Sequence, residues 1–234
     1  MSSVTAGAPP VIAVTGMAFE ARIARGDGVD VVYAARSDLL ERALSAAAAR
    51  GCSGIVSFGT AGGLAPDLEP GALIVADAVE GPFGRLATDS QWAERMVMAL
   101  SGTPLGARVC RGTQAAVAAP VTSAHDKDAL FRSTGALAVD MESHIAGAFA
   151  AAHGVPFAVC RAVVDPASRS LPPAAMAGLR DDGSTAILPI LLELLRRPSQ
   201  FGALIQLAGD ARAARQALVQ ARRAFGAAGA MLAI

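Results

Sequence analysis

The stretch GCSGIVSFGTAGGL, residues 51–64, decides the fold class, because it joins a short apolar run to a glycine-rich end. The run contains β-branched residues, which predicts a buried strand followed by a glycine turn. Similar apolar runs occupy residues 11–17, 71–79 and 154–165, and residues 37–50 repeat apolar positions at helical spacing. Continuous apolar strands separated by helices are typical of a parallel sheet with helices on both faces. We therefore expect an α/β fold, a three-layer αβα sandwich around a mixed, mainly parallel sheet.

Length and composition narrow the class of protein. The chain has 234 residues, enough for one α/β domain or two small ones with a substantial core. Twenty basic residues balance twenty acidic ones, so the charge of the whole chain gives no attraction to nucleic acid, and we expect no nucleic-acid partner. The cysteines, Cys52, Cys110 and Cys160, are far apart and lack CxxC spacing, which indicates neither a disulfide framework nor a zinc site.

Neither terminal region has the pattern of a targeting or membrane-spanning segment. Residues 1–10 lack the basic segment and the long apolar run of a secretory signal. The most apolar late run, AILPILLELL in residues 186–195, is interrupted by Pro189 and Glu193 and is too short to span a bilayer. We therefore expect a protein of the reducing cytoplasm.

The chain divides into three expected segments, which are a flexible N-terminus (1–10), one domain (11–197) and a helical C-terminal extension (198–234). The extension combines several arginines with the apolar positions Phe201, Leu204, Ile205, Leu218 and Val219. Such a helix either lies on a membrane surface, where basic and apolar faces are both favoured, or packs against the domain or a neighbouring subunit. We place packing first and keep a peripheral membrane contact as the alternative.

Polar side chains follow three of the predicted strands. Glu20 lies just past the first strand, Thr60 past the second and Asp165 at the end of the fourth. Because ligands of open α/β sheets bind outside the carboxyl ends of the strands, these residues predict a site at one edge of the sheet. The glycines of GTAGG, residues 59–63, would also suit an anion-binding turn, but the stretch is neither GxGxxG nor a P-loop. Dinucleotide and ATP binding therefore lack their usual signature.

The stretch AVDMES, residues 138–143, places two carboxylates ahead of a helix rich in Ala and Gly. Acidic residues in the first turn oppose the positive end of the helix dipole, and Glu142 on its own is explained as well by that effect as by a binding role. Its neighbours along the chain favour the binding role.

The ordered set TGMAFEA, FGTAGGLAPDLEPGALIVAD, AVDMES and RAVVD resembles the nucleoside phosphorylase and nucleosidase family, and most of all the branch of the methylthioadenosine/S-adenosylhomocysteine nucleosidases. The resemblance covers residues 11–197. Within the family it is nearest to the hopanoid-associated members, which act on adenosylhopane, through RAVVDPASRSLPPAA (residues 161–175) and the basic extension. It implies the phosphorylase/hydrolase type of sandwich, a nucleoside substrate, no metal or organic cofactor, and a homo-oligomer of two or more subunits.

The resemblance also implies roles for individual residues. Met141 and Glu142 match the pair that binds ribose, where one carboxylate accepts hydrogen bonds from both sugar hydroxyls. Asp165 matches the acid that protonates, or shares a proton with, N7 of the purine. Glu20 matches the carboxylate that orients and deprotonates the attacking water.

Four further positions complete the implied site. Thr60, Ala61 and Gly62 match the segment that lines the pocket for the ribose and the nucleophile. Arg161 matches an arginine near the site to which no direct role is assigned. Cleavage of an N-glycosidic bond places positive charge on the sugar and negative charge on the base, so an acid at the base and a carboxylate at the sugar oppose both charges.

Three functions remain open. Hydrolysis comes first, because a carboxylate at Glu20 would activate water and repel phosphate. Phosphorolysis, with phosphate as co-substrate, is second, because Arg22 and Arg25 lie near Glu20 in sequence, although both suit a solvated helix face. A purine-nucleoside-binding protein without activity is third, and the presence of Glu20, Glu142 and Asp165 together disfavours it.

Some positions depart from the family pattern. Val164 stands where nucleosidases of this branch usually have a serine that helps to hold the purine, so the preference for adenine rests on fewer groups. The segment VTSAHDKDAL, residues 121–130, lacks the aromatic residue that commonly covers the base. His125 and Lys127 could take part of that role, but we expect them to be ordinary surface residues. His144 is expected to pack at the edge of the site rather than to bind a metal.

The segment LPPAAM, residues 171–176, directly follows the predicted acid. Family lids in this region cover the 5′ substituent of the nucleoside, and Leu171 with two stiffening prolines would suit an apolar substituent such as a hopane. A rigid connector is the alternative interpretation.

Overall fold

The computed structural model describes residues 8–178 and 180–233, so most of the predicted flexible N-terminus lies outside the described residues. The strands are β1 (Val11–Thr15), β2 (Val29–Tyr33), β3 (Gly54–Gly63), β4 (Leu73–Gly81), β5 (Gly84–Ala87), β6 (Val109–Ala116), β7 (Ala138–Asp140) and β8 (Phe157–Asp165). The helices are α1 (Ala18–Ala24), α2 (Ser37–Ala48), α3 (Ser90–Ser101), α4 (Ala124–Thr134), α5 (Ser143–His153), α6 (Pro173–Ala177), α7 (Ile187–Arg196) and α8 (Phe201–Ala228).

These strands form one mixed sheet. Strand β3 is its centre, parallel to β1 and β8 and antiparallel to β7, while β2 extends the edge beyond β1. Strand β4 is parallel to β6 and antiparallel to β5 and β8, and β6 is parallel to β7. Strands β3, β8, β4, β6 and β7 therefore pair in a closed ring, with β1 and β2 attached to its side.

Helices cover both faces of the sheet, because the strands are apolar on both sides. In β1, Val11 and Ala13 point into a core formed with α1, α3 and α8. Ile12 and Val14 point into a second core formed with α2 and α5. Alternate residues of one buried strand thus serve opposite faces. The predicted α/β class and mainly parallel sandwich are confirmed.

The small residues of α5 let this helix approach the sheet closely. A Cβ atom on Gly147 would lie 2.8 Å from the ring of Phe157 and 3.0 Å from the Leu86 side chain. A larger residue there would push α5, and the stretch that precedes it, away from the sheet.

The expected glycine turn at residues 59–63 is wrong. Strand β3 continues to Gly63, since it pairs with both β7 and β8, and no residue of this stretch has a positive φ. At Gly59 the glycine provides space, because a Cβ would lie 2.7 Å from the Arg161 guanidinium and 2.8 Å from the Glu20 carboxylate. An irregularity in the β3–β8 register at Ala61/Gly62 brings Gly62 opposite Asp165.

Helix α8 packs on the domain from about Asp210 onward, whereas its first turns are largely exposed. Ala214, Leu218 and Phe225 are buried in the core that includes α1 and α3. Near the start of the helix, Phe201 and Ile205 are about 60% exposed. Among the described residues, no helix combines the length and the apolar character needed to cross a bilayer.

Candidate active site

A cavity of about 210 Å³ opens where β1, β3, β7 and β8 end. Seven of the predicted site residues contribute to its wall, and they are Glu20, Thr60, Ala61, Gly62, Met141, Glu142 and Asp165. The eighth, Arg161, is fully buried and pairs with Glu142 behind that wall. The sheet topology therefore brings together residues that are up to 145 positions apart in the chain, from Glu20 to Asp165.

Glu20 is held by four protein donors. Its Oε2 accepts hydrogen bonds from the backbone N–H groups of Gly16 at 3.1 Å and Met17 at 3.0 Å. Its Oε1 accepts from the Thr60 N–H at 2.8 Å and from the Thr60 hydroxyl at 2.7 Å. A carboxylate has about four acceptor positions, so these donors occupy all of them. The side chain is buried and ties the start of α1 to β3.

The two carboxylates of AVDMES have separate partners. Asp140 caps α5, because its Oδ1 accepts a hydrogen bond from the Ser143 N–H at 3.0 Å and its Oδ2 accepts from the Ser143 hydroxyl. Glu142 occupies the N-cap position but makes no side-chain capping bond. Its carboxylate instead lies in the cavity wall, with Oε2 3.1 Å from Nη2 of Arg161. The capping is thus done by Asp140, and Glu142 is directed toward the cavity.

Gly16 makes room for this carboxylate. A Cβ at Gly16 would lie 2.3 Å from Glu142 Oε1, closer than van der Waals contact permits. The glycine of TGMAFEA is therefore required by the opposite wall of the cavity, and not by its own backbone conformation.

Arg161 is the centre of a buried ionic cluster that the sequence alone did not reveal. Its Nε lies 2.9 Å from Asp140 Oδ2, and its Nη2 donates to Ser57 Oγ at 2.5 Å as well as facing Glu142. Its Nη1 donates to the Thr60 carbonyl at 3.3 Å. Burial lowers the pKa of Arg161, but the surrounding carboxylates outweigh burial and raise that pKa above its ordinary value. This arginine fixes both carboxylates of AVDMES.

The environment of Glu142 moves its titration to neutral pH. Burial raises the pKa of its carboxyl group to about 7, Arg161 opposes the rise, and the neighbouring carboxylates of Asp140 and Glu20 add to it. A group with this pKa gains and loses a proton near neutral pH. Hydrogen bonds from a ligand stabilise its charged form more than they stabilise a solvated carboxylate.

Asp165 ends β8 and is 2% exposed. Its partner is Lys127 of α4, whose Nζ donates to Asp165 Oδ2. Burial raises the pKa of Asp165, and the Lys127 ammonium opposes that rise. The expectation that Lys127 is a surface residue is wrong, because this side chain is 0% exposed, whereas His125 is exposed. The charged run HDKD resembles a solvated helix face, and nothing in it marks which residue turns inward.

Apolar side chains form the rest of the cavity wall. They include Val117, Val121, Val139, Val164 and Leu171. Leu171 belongs to the predicted lid, and its N–H donates to the Thr122 carbonyl at 2.8 Å, which attaches the lid to the segment before α4. Leu171 thus adds an apolar side chain of the predicted lid to the cavity wall.

No cationic side chain lies in the wall of the cavity as far as the chain is described. Arg22 and Arg25, which supported phosphorolysis, are both exposed and outside this wall. His144 is buried beside Phe83, with ring centroids 5.7 Å apart. Within residues 8–178 and 180–233, no three His, Cys, Asp or Glu side chains are grouped as metal ligands would be.

Solved structures of similar fold include proteins named as nucleosidases and as a hydrolase. The 5′-methylthioadenosine/S-adenosylhomocysteine nucleosidase of Helicobacter pylori superposes with a TM-score of 0.66 over 95% of this chain and 98% of its own, at 14% identity. The futalosine hydrolase of Helicobacter pylori gives a TM-score of 0.59 at 16% identity, over 68% of this chain and 88% of its own. The S-adenosylhomocysteine nucleosidase of Streptococcus pyogenes gives 0.59 at 18% identity, over 70% of this chain and 86% of its own.

At these identities the likeness shows a common fold. No protein of curated function matches the chain by sequence. Residues 3–185, however, match the family described as the phosphorylase superfamily, and this match spans most of the chain. The protein belongs to the phosphorylase superfamily.

Proposed function

We propose that the protein hydrolyses the N-glycosidic bond of a purine nucleoside, with adenine as the base. The observation that carries the proposal is the meeting of Glu20, Glu142 and Asp165 in the wall of one cavity. The similar solved structures named as nucleosidases and as a hydrolase support the same reaction class.

Glu142 and Met141 form the sugar subsite of this proposal. The Glu142 carboxylate, anchored by Arg161, accepts hydrogen bonds from the two ribose hydroxyls. As the bond to the base lengthens, positive charge grows on the sugar ring, and this largely buried carboxylate stabilises it more in the transition state than in the ground state.

Asp165 protonates the departing base in this proposal. Its carboxyl group lies in the cavity wall beside Gly62, its register partner at the glycine-rich end of β3. Protonation of N7 converts the purine into a better leaving group, and general acids of this kind contribute on the order of 10²–10⁴ in rate.

Glu20 orients and deprotonates the attacking water in this proposal. All its acceptor positions are taken by protein donors, and only the Thr60 hydroxyl among them can rotate away without moving the backbone. A water that takes the place of this hydroxyl at Oε1 donates a proton to Glu20 and directs its oxygen toward the sugar. Thr60 is then the residue that admits the nucleophile.

Hydrolysis suits the cavity better than phosphorolysis, which stays the second candidate. Binding of phosphate needs cations or several free N–H groups. The described cavity wall contains carboxylates and no cation, and two nearby N–H groups, those of Gly16 and Met17, already donate to Glu20. Release of base with and without phosphate, with identification of the sugar product, distinguishes the two reactions.

For the substrate we propose a nucleoside with a large apolar 5′ group, and adenosylhopane fits the resemblance of residues 161–175 to the hopanoid-associated members. The apolar wall near Leu171 supports this choice. The lid continues into α6, which packs on α7, so the 5′ side of the site lies near the C-terminal helices.

We propose that those helices make a peripheral contact with a membrane surface. Their exposed apolar residues are Leu188, Leu192, Leu195, Phe201 and Ile205. Two arginines, Arg196 and Arg197, are exposed beside them, which suits an anionic interface. Co-sedimentation with anionic vesicles tests this contact, and equal sedimentation after Leu195→Ser with Phe201→Ser would exclude it. A cytoplasmic location and a homo-oligomer of two or more subunits remain predictions.

A further inference from the structure

Lys127 is fully buried beside Asp165 of the site, although lysine is among the residues least often buried. Its Nζ donates to Asp165 Oδ2, to the Pro166 carbonyl at 3.1 Å and to the Arg169 carbonyl at 2.9 Å. Three acceptors require three N–H donors, and only the protonated ammonium has three. The geometry therefore identifies Lys127 as a buried cation paired with the Asp165 carboxylate.

Such a pair is not explained by stability alone. Taking two charges out of water is expensive, and apolar residues of similar volume are often equally stable in the same place. Here the ammonium also binds two carbonyls of the segment that follows β8. It thus fixes the strand end that carries Asp165 and the backbone that leads to the lid.

We propose that Lys127 is a positioning residue of the active site, which orients the Asp165 carboxyl group and sets the pH range in which that group carries a proton. The inference rests on the proposed function of Asp165 as the acid. It assigns Lys127 no contact with the substrate.

The charges that face Asp165 come from several elements. Lys127 is on α4, and Arg169, in the segment after β8, is paired with Asp210 of α8. Across the cavity lie the carboxylates of Glu20 and Glu142. Lys127 is the charge in direct contact with Asp165, and an opposite charge at such range typically lowers the pKa of a carboxyl group by about 1–3 units.

One proton is taken up from solvent and one is released to solvent in each reaction. The Asp165 carboxylate takes up one proton from solvent, passes it to N7 of the purine as the C–N bond breaks, and returns to the ion pair with Lys127. The water that adds to the sugar carbon loses its proton to Glu20, which releases it to solvent. Base release is therefore limited at high pH by the fraction of Asp165 that is protonated.

Lys127 is the only lysine of the chain, which permits a direct test on the wild-type protein. Lysine-selective ¹⁵N labelling gives one side-chain signal in NMR spectra. We expect an ammonium at neutral pH whose protons exchange slowly with water, and whose chemical shift changes in Asp165→Asn. A neutral amine, or an ammonium in fast exchange, would overturn the proposal whether or not the enzyme has been shown to cleave nucleosides.

Kinetics give the second test. In Lys127→Met the descending limb of kcat/KM should move to higher pH by about one unit or more, because the carboxylate loses its cation. Lys127→Arg should leave the descending limb at its wild-type pH. Asp128→Asn changes an exposed charge on the same helix and should alter neither the activity nor the pH of this limb. A fall in rate that is equal at all pH values in Lys127→Met would mean a structural role only. If this variant does not fold, the NMR result on the wild type decides. Absence of base release by the wild type contradicts the proposed function and leaves the NMR result standing.

Discussion

Glu20 accepts two hydrogen bonds from Thr60, one from the backbone N–H at 2.8 Å and one from the hydroxyl at 2.7 Å. The first helix and the central strand are thereby joined inside the cavity wall. The backbone bond belongs to the fold, while the hydroxyl can be replaced by water. We expect Thr60→Val to keep the fold and to change kcat through the position of the nucleophile, with KM for the nucleoside nearly unchanged. Steady-state kinetics of this variant against wild type check it, and a change confined to KM would contradict it.

Removal of the acid should abolish most of the rate without unfolding the protein. In Asp165→Asn the amide oxygen still accepts a hydrogen bond from Lys127, but the side chain no longer carries an acidic proton. We expect kcat to fall by on the order of 10²–10⁴. The melting temperature should also fall, because the buried Lys127 ammonium loses its paired carboxylate, but the protein should stay folded under assay conditions. Adenine release measures the rate. Wild-type turnover by a folded Asp165→Asn protein would remove Asp165 from the mechanism.

The pH dependence of stability should reveal the raised pKa of Glu142. Its pKa is about 7 in the folded protein against an ordinary value of 4.5, so between these values the folded state binds more protons than the unfolded state. The Glu142 contribution to the free energy of unfolding therefore falls as pH rises from 4.5 to 7, by up to about 1.4 kcal/mol per pH unit.

Glu142→Gln removes this titration. The stability of the variant relative to wild type should rise between about pH 4.5 and about pH 7, while its binding of nucleoside weakens. Urea unfolding at several pH values measures the difference. A difference that stays constant with pH would show that Glu142 keeps an ordinary pKa.

Gly16 should tolerate no side chain. Because a Cβ would lie 2.3 Å from Glu142 Oε1, Gly16→Ala has to displace the carboxylate from the sugar subsite. We expect a loss of stability of about 1–3 kcal/mol and a raised KM. Gly202→Ala on α8 is the matched control, because nothing lies within 4 Å of its added Cβ, and it should be neutral or slightly stabilising. Equal behaviour of the two variants would contradict the close approach.

The substrate preference should depend on the apolar lid. A purine nucleoside with a bulky apolar 5′ group should have a higher kcat/KM than adenosine, and Leu171→Ser should reduce that advantage by several-fold while affecting adenosine less. Competition between the two substrates measures the ratio. Equal kcat/KM values for both in the wild-type protein would argue against an apolar 5′ subsite.

Much of the fold could be predicted from apolar runs, because strands such as β1 and β8 are buried on both faces and show it in composition. Strands β2, β5, β6 and β7 were not predicted. The first three contain exposed or half-buried positions that break such runs, and β7 has only three residues. The glycines of residues 59–63 were misjudged for another reason. Spacing in sequence does not show that Gly59 is squeezed between Glu20 and Arg161, side chains from two other elements.

The site also contains residues that could be predicted from the sequence and residues that could not. Glu20, Thr60 and Asp165 could be placed at one edge, because parallel strands bring their carboxyl ends together. The expectation that Thr60 follows its strand was wrong, since it lies within β3, three residues before the strand ends. Arg161 and Lys127 could not be given partners, since both depend on contacts between segments that are distant in sequence. Lys127 is the only lysine in a chain otherwise rich in arginine, but this fact gives it neither a position nor a partner.

The central claim is that Glu20 directs water and not phosphate to the sugar. The most direct test is adenine release from adenosine and methylthioadenosine, with and without phosphate, together with identification of the sugar product. We expect free ribose or methylthioribose at a rate that phosphate does not change, with Arg22→Ala and Arg25→Ala as active as wild type. A rate that requires phosphate and yields the sugar 1-phosphate would contradict it.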